Sequence, residues 1–313
     1  HTLLVVQYDQ KRIDPMPLQT QLVGQCTSPR HHAVDTRWTM AYAAGLQDEN
    51  PRLRDTTQAS LCVHPLFPVC LEWPSVLDSR ALPGHDGLSD DELARGVHAT
   101  HDLHVIKPIV PGQLYKTTAR VVDLQAGQQG ARVCLQLDTY DEAGDLVTRT
   151  WQTNVSRGVT IEGPAATPIA QAPAWPDIHL TQQAVDARRE IPIAVSAGLG
   201  NIYTETARIY NPIHSDRAYA LAAGLPDIIL HGTASLALSV TALSRELLEG
   251  AVDQVTRLGG RFTSMVVMPQ TLTLHIKAQG SDWALFELRN DVQAPVIKDG
   301  FMVWSQASAT AII

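Results

Sequence analysis

Residues 208–232 contain the side chains best placed to move a proton. Asn211 and His214 lie three residues apart, an Ala-rich helical segment follows, and His231 and Gly232 then begin a second apolar helix. An imidazole accepts and releases protons near neutral pH. An N–H at a helix start has no intrahelical partner and lies at the positive end of the helix dipole. This combination predicts a site where His214 acts as general acid or base and the N–H of Gly232 stabilises a developing oxyanion.

Each feature also has a structural explanation when taken alone. A histidine beside Asn-Pro commonly anchors a loop, and His231-Gly232 is compatible with an ordinary helix start. However, four residues fall in register with one longer motif, Y-x-x-x-x-G-D-x-N-P-x-H: Tyr203, Asn211, Pro212 and His214. In this motif the chain resembles the MaoC-like hydratases and dehydratases, the (R)-specific enoyl-CoA hydratase branch of the hot-dog fold.

The resemblance implies a role for each matched residue. It implies His214 as the general acid/base, Asn211 as the group that supports the loop and orients water, and the N–H of Gly232 as the partner of the thioester carbonyl. Tyr203 and His231 are expected to support them. The implied substrate is a CoA thioester, and no other cofactor is implied.

Two positions depart from the family motif. Arg208 replaces its glycine and Ile209 replaces its catalytic aspartate. Three explanations are open for the missing carboxylate. Glu205, one helical turn before Ile209, or Asp216, two residues after His214, could stand in for it. Alternatively, the substrate carries its own carboxylate, as mesaconyl- or itaconyl-type thioesters do, or the protein binds without catalysis.

A weak internal repeat relates the two halves of the chain. Residues 41–51 align with residues 202–212, which places a Tyr, an Asn and a Pro over their counterparts. Farther along, residues 104–121 parallel residues 261–278, each a strand, a proline turn and a second strand. The order of the two matches is the same in both halves. The repeat therefore predicts two copies of one structural plan.

The first copy keeps the acid of the motif and lacks its histidine, whereas the second copy keeps the histidine and lacks the acid. Asp48 stands in the acidic part of its D-x-N-P segment, but Leu53 occupies the position of the histidine. Neither half carries an intact acid and base pair. Because related two-domain enzymes usually keep catalysis in the second repeat and shape the acyl pocket with the first, the resemblance favours His214.

Alternation of β-forming residues predicts antiparallel strands after a helix in each half. Four prolines between residues 161 and 176 predict an extended linker. We therefore expect an α+β chain of two tandem hot-dog domains, 1–160 and 178–313, with a linker at 161–177. In each, a long central helix is wrapped by a curled antiparallel β-sheet, and the two pack as a pseudo-dimer. The predicted strands are 115–121, 133–137, 272–276, 283–288 and 303–313, with a hairpin turn at 141–144.

Composition excludes several classes of partner. The chain has 313 residues, 44% hydrophobic, and a formal net charge of −8, which disfavours nucleic acid and anionic membrane surfaces. Its apolar runs are shorter than the roughly 20 residues of a membrane span. The four cysteines lack C-x-x-C spacing, and the N-terminus lacks a basic region and a cleavage site. A cytoplasmic protein with reduced thiols is expected, as a monomer or homodimer.

Other polar clusters have weaker support. The histidines lack H-E-x-x-H spacing or an accompanying carboxylate pattern, so no metal site is predicted; those considered are His31, His32, His98, His101 and His104. Arg188, Arg189 and Arg261 could meet CoA phosphates, although solvated surface charge is the favoured interpretation. No phosphate-binding glycine loop or nucleophile elbow is present.

The sequence thus predicts a hydro-lyase that adds or removes water across the C2=C3 bond of an acyl-CoA. A short acyl group is expected, with branched and dicarboxylic groups included. Two alternatives remain open: an acyl-CoA thioesterase with the same fold, and a non-catalytic acyl-CoA-binding or heteromeric partner subunit. Release of free thiol distinguishes the first alternative, and tight binding without turnover distinguishes the second.

Overall fold

The computed structural model describes residues 16–58, 61–175 and 189–305. The first half begins with short strands and helices and continues with long antiparallel strands. Its elements are β1 (Leu18–Gln19), β2 (Arg30–Val34), α1 (Thr36–Gly45), α2 (Pro51–Arg54), α3 (Pro68–Asp78), α4 (Asp90–Ala94), β3 (Gly96–Val105), β4 (Gln113–Gly127), β5 (Gly130–Tyr140), β6 (Leu146–Arg157) and β7 (Ile161–Glu162).

The second half repeats this order with a longer central helix. Its elements are β8 (Arg189–Val195), α5 (Leu199–Ala207), α6 (Arg217–Ala222), α7 (Gly232–Leu248), β9 (Val255–Phe262), β10 (Gln270–Gln279), β11 (Trp283–Arg289) and β12 (Pro295–Trp304). Short 3-10 turns lie at Thr20–Leu22, Ser79–Ala81, Pro212–His214 and Val252–Gln254. Within the described residues, no helix has both the length and the apolarity to cross a membrane.

Ten of the strands form one continuous sheet with two equivalent halves. The order is β2-β4-β5-β6-β3 and then β9-β12-β11-β10-β8, so each half lists its strands in the same order from the edge inward. At the centre, Thr100 pairs with Arg261 and His104 pairs with Arg257. Strands β3 and β9 end at Val105 and Phe262, and strands β4 and β10 begin at Gln113 and Gln270. These bounds differ by the same offset as the alignment of residues 104–121 with residues 261–278 and agree with it.

One helix in each half packs against the inner face of the sheet. In the first half α3 packs on β4 and β5, and in the second half α7 packs on β9 and β12. Leu236, Val240 and Leu243 of α7 are fully buried, at a helical spacing that places them toward the core. Burial of this apolar face is the main force that holds each helix to its strands. The predicted fold, a helix wrapped by antiparallel strands in each of two packed units, is confirmed.

The predicted strands 115–121, 133–137, 272–276 and 283–288 lie in β4, β5, β10 and β11. The hairpin turn at 141–144 is also confirmed, since Gly144 N donates to Asp141 O at 3.0 Å. The prediction for 303–313 was wrong at its start, because β12 begins at Pro295. Its residues 306–313 lie outside the described residues.

The linker region is partly structured. Ile161 and Glu162, the first two residues of the predicted linker, form β7, which pairs in parallel with β1. Residues 163–175 contain no helix or strand. The boundaries at 161–177 and 178 stay predictions, since residues 176–188 lie outside the described part of the chain.

Candidate active site

His214 lies in the turn Pro212–His214 between α5 and α6, and only 9% of its surface is exposed. Its Nδ1 lies 2.8 Å from the carbonyl oxygen of Ile229. A carbonyl oxygen can only accept a hydrogen bond, so Nδ1 of the neutral ring carries the proton and Nε2 carries the lone pair. His214 is therefore held in the tautomer that presents a base at Nε2.

His231 is the residue immediately before α7, and its ring stacks on His214. The ring centroids lie 3.7 Å apart with 27° between the planes. Nε2 of His231 donates to the carbonyl oxygen of Ile209 at 3.3 Å. Its Nδ1 is buried and has no hydrogen-bond partner among the described residues. The stack fixes the plane of the His214 ring from one side.

Both imidazoles are neutral at physiological pH. Burial lowers the pKa of His214 to about 4, an effect that outweighs the hydrogen bond to Ile229. Burial also lowers the pKa of His231 well below its ordinary value, and the neighbouring His214 lowers it further. A proton on either ring would place a charge in apolar surroundings. His214 is thus available as a base over the whole neutral range.

Gly232 is the first residue of α7 and is half-buried. The first N–H groups of a helix have no intrahelical acceptor and lie at the positive end of its dipole. A side chain here would meet the Phe262 ring, since an added Cβ would lie 3.2 Å from its Cδ1. The helix start next to the two histidines is therefore suited to bind a carbonyl oxygen that gains negative charge.

Arg208 stands where the family motif has glycine, and its backbone conformation is one that favours glycine. It ends α5 with φ of 56°, in the left-handed region that favours glycine. Its guanidinium stacks over the Trp38 ring at 3.7 Å from the centroid. Ile209, which follows it, is only 5% exposed and belongs to the main hydrophobic core. The backbone turn of the motif is kept, whereas the carboxylate is replaced by a core side chain.

Neither acid proposed to replace that carboxylate is placed to do so. The helix α5 ends at Ala207, and Glu205 is exposed on its surface while Ile209 is buried. The two side chains therefore do not share a face. Asp216 is also exposed, and its carboxylate accepts a hydrogen bond from Tyr219 N at 3.1 Å as the cap of α6. The predictions for Glu205 and Asp216 are corrected accordingly.

Tyr203 packs against His231 in the core. It is fully buried, its ring centroid lies 4.9 Å from that of His231, and its hydroxyl lies 3.3 Å from the hydroxyl of Tyr42. Burial raises the pKa of Tyr203, so the hydroxyl stays protonated. Asn211 accepts a hydrogen bond from His214 N through its own backbone oxygen at 3.1 Å. Asn211 thus closes the turn that carries His214 through its backbone, and the roles expected of Asn211 and Tyr203 in the site stay predictions.

Asp48 lies in a separate network of the first half. Its carboxylate accepts hydrogen bonds from Asn50 N at 3.0 Å and from the Thr241 hydroxyl at 3.1 Å. His64 contacts the same hydroxyl through Nε2 at 3.2 Å. Thr241 lies nine residues along α7 from Gly232, which is about 14 Å of helix axis. Asp48 therefore does not join His214, although it contacts the same central helix, α7 of the second half, farther along.

Sequence reasoning missed His64 and Thr241 in this network. Thr241 belongs to the helix of the other half, and His64 stands in an irregular segment before α3. No spacing rule connects two such positions, because they meet only through tertiary packing. The histidine stack was missed for the same reason.

The remaining polar clusters form no further catalytic group. Among the described residues, no three His, Cys, Asp or Glu side chains are grouped as metal ligands. Arg189 pairs with Glu246, and Arg261 pairs with Asp299 at 3.2 Å. Both arginines are thus engaged by surface carboxylates, which fits the favoured interpretation of surface charge. Arg188 lies outside the described residues.

Comparison with known proteins identifies a domain in the second half. Residues 179–296 match the model of the MaoC-like domain. This part of the chain is a MaoC-like domain. The matched segment contains His214, His231 and Gly232, together with the substituted Ile209.

Three proteins illustrate what the whole chain resembles. The 3-hydroxyacyl-thioester dehydratase Y of Mycobacterium tuberculosis is 28% identical over 262 residues, which cover 82% of this chain and 87% of that protein. The enoyl-CoA hydratase ChsH3 of the same organism is 24% identical and covers 75% of each chain. In fold, the chain is similar to the crystal structure of a MaoC-like dehydratase from Phytophthora capsici, with a TM-score of 0.75, 21% identity and coverage of 90% and 96%.

Proposed function

We propose that this protein is a hydro-lyase that adds water to, or removes water from, the C2=C3 bond of a short acyl-CoA. Branched and dicarboxylic acyl groups are included among the proposed substrates. The observation that carries the proposal is the neutral His214, whose ring stacks on His231, the residue that precedes α7. A base and an oxyanion-binding N–H are the two parts that enoyl thioester hydration requires.

The relatives support the same class of enzyme. Two of them are named as a 3-hydroxyacyl-thioester dehydratase and an enoyl-CoA hydratase, and the match to each extends over three quarters or more of this chain. The prediction of a hydro-lyase is confirmed at the level of enzyme class. The identity of the acyl group is part of the proposal.

In the proposed reaction, Nε2 of His214 takes a proton from water while the oxygen of that water adds to C3. The electron pair of the double bond moves toward the thioester carbonyl, whose oxygen accepts a hydrogen bond from the N–H of Gly232. The proton then returns from Nε2 to C2. Water and the enoyl thioester together supply all the atoms of the product, so the proposal requires no further cofactor.

Ile209 has a consequence for the substrate. A single base holds the attacking water where the family uses a base and a carboxylate. A carboxylate on the acyl group can supply the second acceptor, which favours dicarboxylic substrates in this proposal. A homodimer and a cytoplasmic location accompany the proposal as predictions.

The test follows absorbance of the enoyl band for crotonyl-, mesaconyl- and itaconyl-CoA, with free thiol measured in parallel. We expect loss of the band without thiol release. His214→Ala should slow this reaction roughly 10²- to 10⁴-fold, the usual contribution of a positioned general base. Faster turnover of the dicarboxylic thioesters than of crotonyl-CoA is expected if the substrate compensates for Ile209.

His85→Ala is the matched control. His85 is also buried, and its Nδ1 also faces a backbone carbonyl oxygen, Ser79 O, at 3.1 Å. This variant should keep hydration activity. Equal losses in both variants would mean that removal of any buried histidine impairs the fold. Release of thiol with the double bond intact would instead identify a thioesterase, and tight binding without turnover would identify a non-catalytic subunit.

A further inference from the structure

A cavity of about 250 Å³ lies in the first half, where α3 begins. Its wall is mostly aliphatic side chains and prolines, and exposed Pro108 and Val110 place part of it at the surface. The volume exceeds the roughly 150 Å³ of an apolar cavity that holds benzene. The lining residues are Leu61, Cys62, Val63, His64, Pro65, Pro68, Val105, Pro108, Ile109, Val110, Thr148, Val252, Asp253 and Val255.

This cavity is separate from the candidate active site. Val252 and Val255 line it and follow the C-terminal end of α7, whereas Gly232 is the first residue of that helix. A helix of 17 residues is about 25 Å long. The cavity and the proposed oxyanion site therefore lie toward opposite ends of α7.

The internal repeat explains why space is left here. Val105 ends β3 and Phe262 ends β9, so the two residues are counterparts in the two repeats. In the second half the Phe262 ring lies directly against Gly232 at the start of α7. In the first half the smaller Val105 lines the cavity near Pro68, at the start of α3. The cavity is thus the first-half counterpart of the space that Phe262 fills in the second half.

The polar groups of the cavity indicate the kind of head group it fits. Thr148 is fully buried, and its hydroxyl has no hydrogen-bond partner among the described residues. An unpaired buried hydroxyl is costly, and a ligand group can pair it. His64 has no free ring nitrogen, because Nδ1 accepts from Leu66 N at 3.1 Å and Nε2 contacts Thr241. Thr148 is therefore the available polar anchor.

The charge at the rim excludes an anionic head group. Asp253 lines the cavity and is paired with Arg52 at 2.8 Å. The described residues that line the cavity include no lysine or arginine. A carboxylate would thus lose water without gaining a cation. A neutral group that donates and accepts hydrogen bonds, such as an amide, ester or thioester, fits the site.

We propose that this cavity is a second binding site, for an aliphatic chain on the order of eight carbons that ends in a neutral hydrogen-bonding group. The chain lies against the aliphatic wall and the head group pairs with the Thr148 hydroxyl. This site does not depend on the reaction proposed at His214. It gives the first repeat a binding role of its own.

The test is calorimetric titration of the full chain with octanamide, which carries such a chain and head group. Saturable binding is expected, with octanoate at least tenfold weaker. Val63→Trp should weaken octanamide binding at least tenfold, because Val63 is a half-buried wall residue. Thr148→Val keeps the shape of the side chain and should weaken binding about threefold to tenfold by removing one hydrogen bond.

Val23→Trp is the matched control. Val23 is also half-buried, but it packs against a separate hydrophobic cluster that contains Leu18, Leu22 and Val121. Octanamide affinity should therefore be unchanged. If Val63→Trp fails to fold by circular dichroism, Val110→Trp at the exposed rim replaces it. Absence of saturable binding, or affinity that survives a folded wall variant, would overturn the proposal. Neither result depends on hydration activity, so the two proposals fail separately.

Discussion

At the scale of single residues, Ile209 separates this site from the family motif. The motif has a carboxylate there, and a carboxylate near a histidine raises the pKa of the imidazole. Without it, burial outweighs the hydrogen bond to Ile229 and lowers the pKa of His214 to about 4. We therefore expect kcat/KM of the protein to stay flat from about pH 8 down to about pH 5, since the base remains unprotonated.

Restoring the acid tests this account. In Ile209→Asp, the new carboxylate should raise the pKa of His214 and move the acid limb of the kcat/KM profile upward, toward the ordinary histidine value of about 6.5. Ile209→Asn is the control, because it introduces similar volume and polarity without charge. Both variants should lose about 2–4 kcal/mol of stability, since Ile209 is a core residue. An unchanged profile in the Asp variant would show that position 209 does not influence His214.

The residues of the motif could be predicted from sequence, whereas their hydrogen-bonding states could not. His214, Gly232 and Tyr203 lie together as their spacing predicts. The tautomer of His214 depends on the carbonyl of Ile229, which follows α6 and has no fixed spacing to the motif. Glu205 was assigned wrongly because helical spacing does not continue to Ile209, since the chain turns at Arg208.

At the scale of elements, the end of α5 carries a conformational cost. A residue other than glycine in the left-handed region is disfavoured by about 1–2 kcal/mol. Arg208 accepts this conformation and stacks its guanidinium on Trp38, an interaction of about 1 kcal/mol. The stack also connects α5 to α1 of the other half. The arginine thus partly offsets the strain that its backbone introduces.

Substitutions at Arg208 separate the two effects. Arg208→Ala keeps the strain and loses the stack, so we expect a loss of about 1 kcal/mol in the free energy of unfolding. Arg208→Gly loses the stack but relieves the strain, so it should be about 1 kcal/mol more stable than the alanine variant. Urea denaturation measures both. Arg217→Ala, at a highly exposed arginine, is the control and should be near neutral. Equal stabilities of the Gly and Ala variants would contradict the strain argument.

The regular strands were predictable because one face of each is buried. In β4, β5, β10 and β11 the buried and exposed residues alternate over most of their length. In β12 the alternation breaks between Lys298 and Phe301, where the register with β9 shifts and Asp299 has φ of 51°. The edge strand β2 is mostly exposed and therefore has no hydrophobic pattern. Period-two reasoning fails at such irregular or solvated strands.

At the scale of the whole molecule, the two repeats form one structural unit. Their sheets join between β3 and β9, and one hydrophobic cluster contains Phe67 and Leu103 of the first half with Leu236 and Leu258 of the second. The sequence repeat predicted the pairing of two similar units. It could not predict that they share one core, because the contacts cross more than 100 residues of chain.

This shared interior holds ionisable groups in their neutral forms. Burial lowers the pKa of His64, His101 and His214 to about 4, below the ordinary value of about 6.5. Burial raises the pKa of Glu72 to about 8. Between about pH 6.5 and pH 4.5, each histidine binds a proton only after unfolding, whereas Glu72 binds one only in the folded state. These three histidines against one glutamate leave two more protons on the unfolded chain, and the lowered pKa values of His32, His98 and His231 increase that difference.

Acid should therefore destabilise the protein well above the pKa of an ordinary carboxylate. As the pH falls from about 6.5 toward about 4.5, we expect the free energy of unfolding to drop by roughly 3 kcal/mol per pH unit or more. Urea midpoints measured at intervals across this range test it. Glu72→Gln removes the opposing titration, so its stability should fall more steeply over the same range. A midpoint that stays constant down to about pH 4.5 would mean that the histidines are not held neutral. It would also contradict the neutral state of His214 on which the proposed chemistry depends.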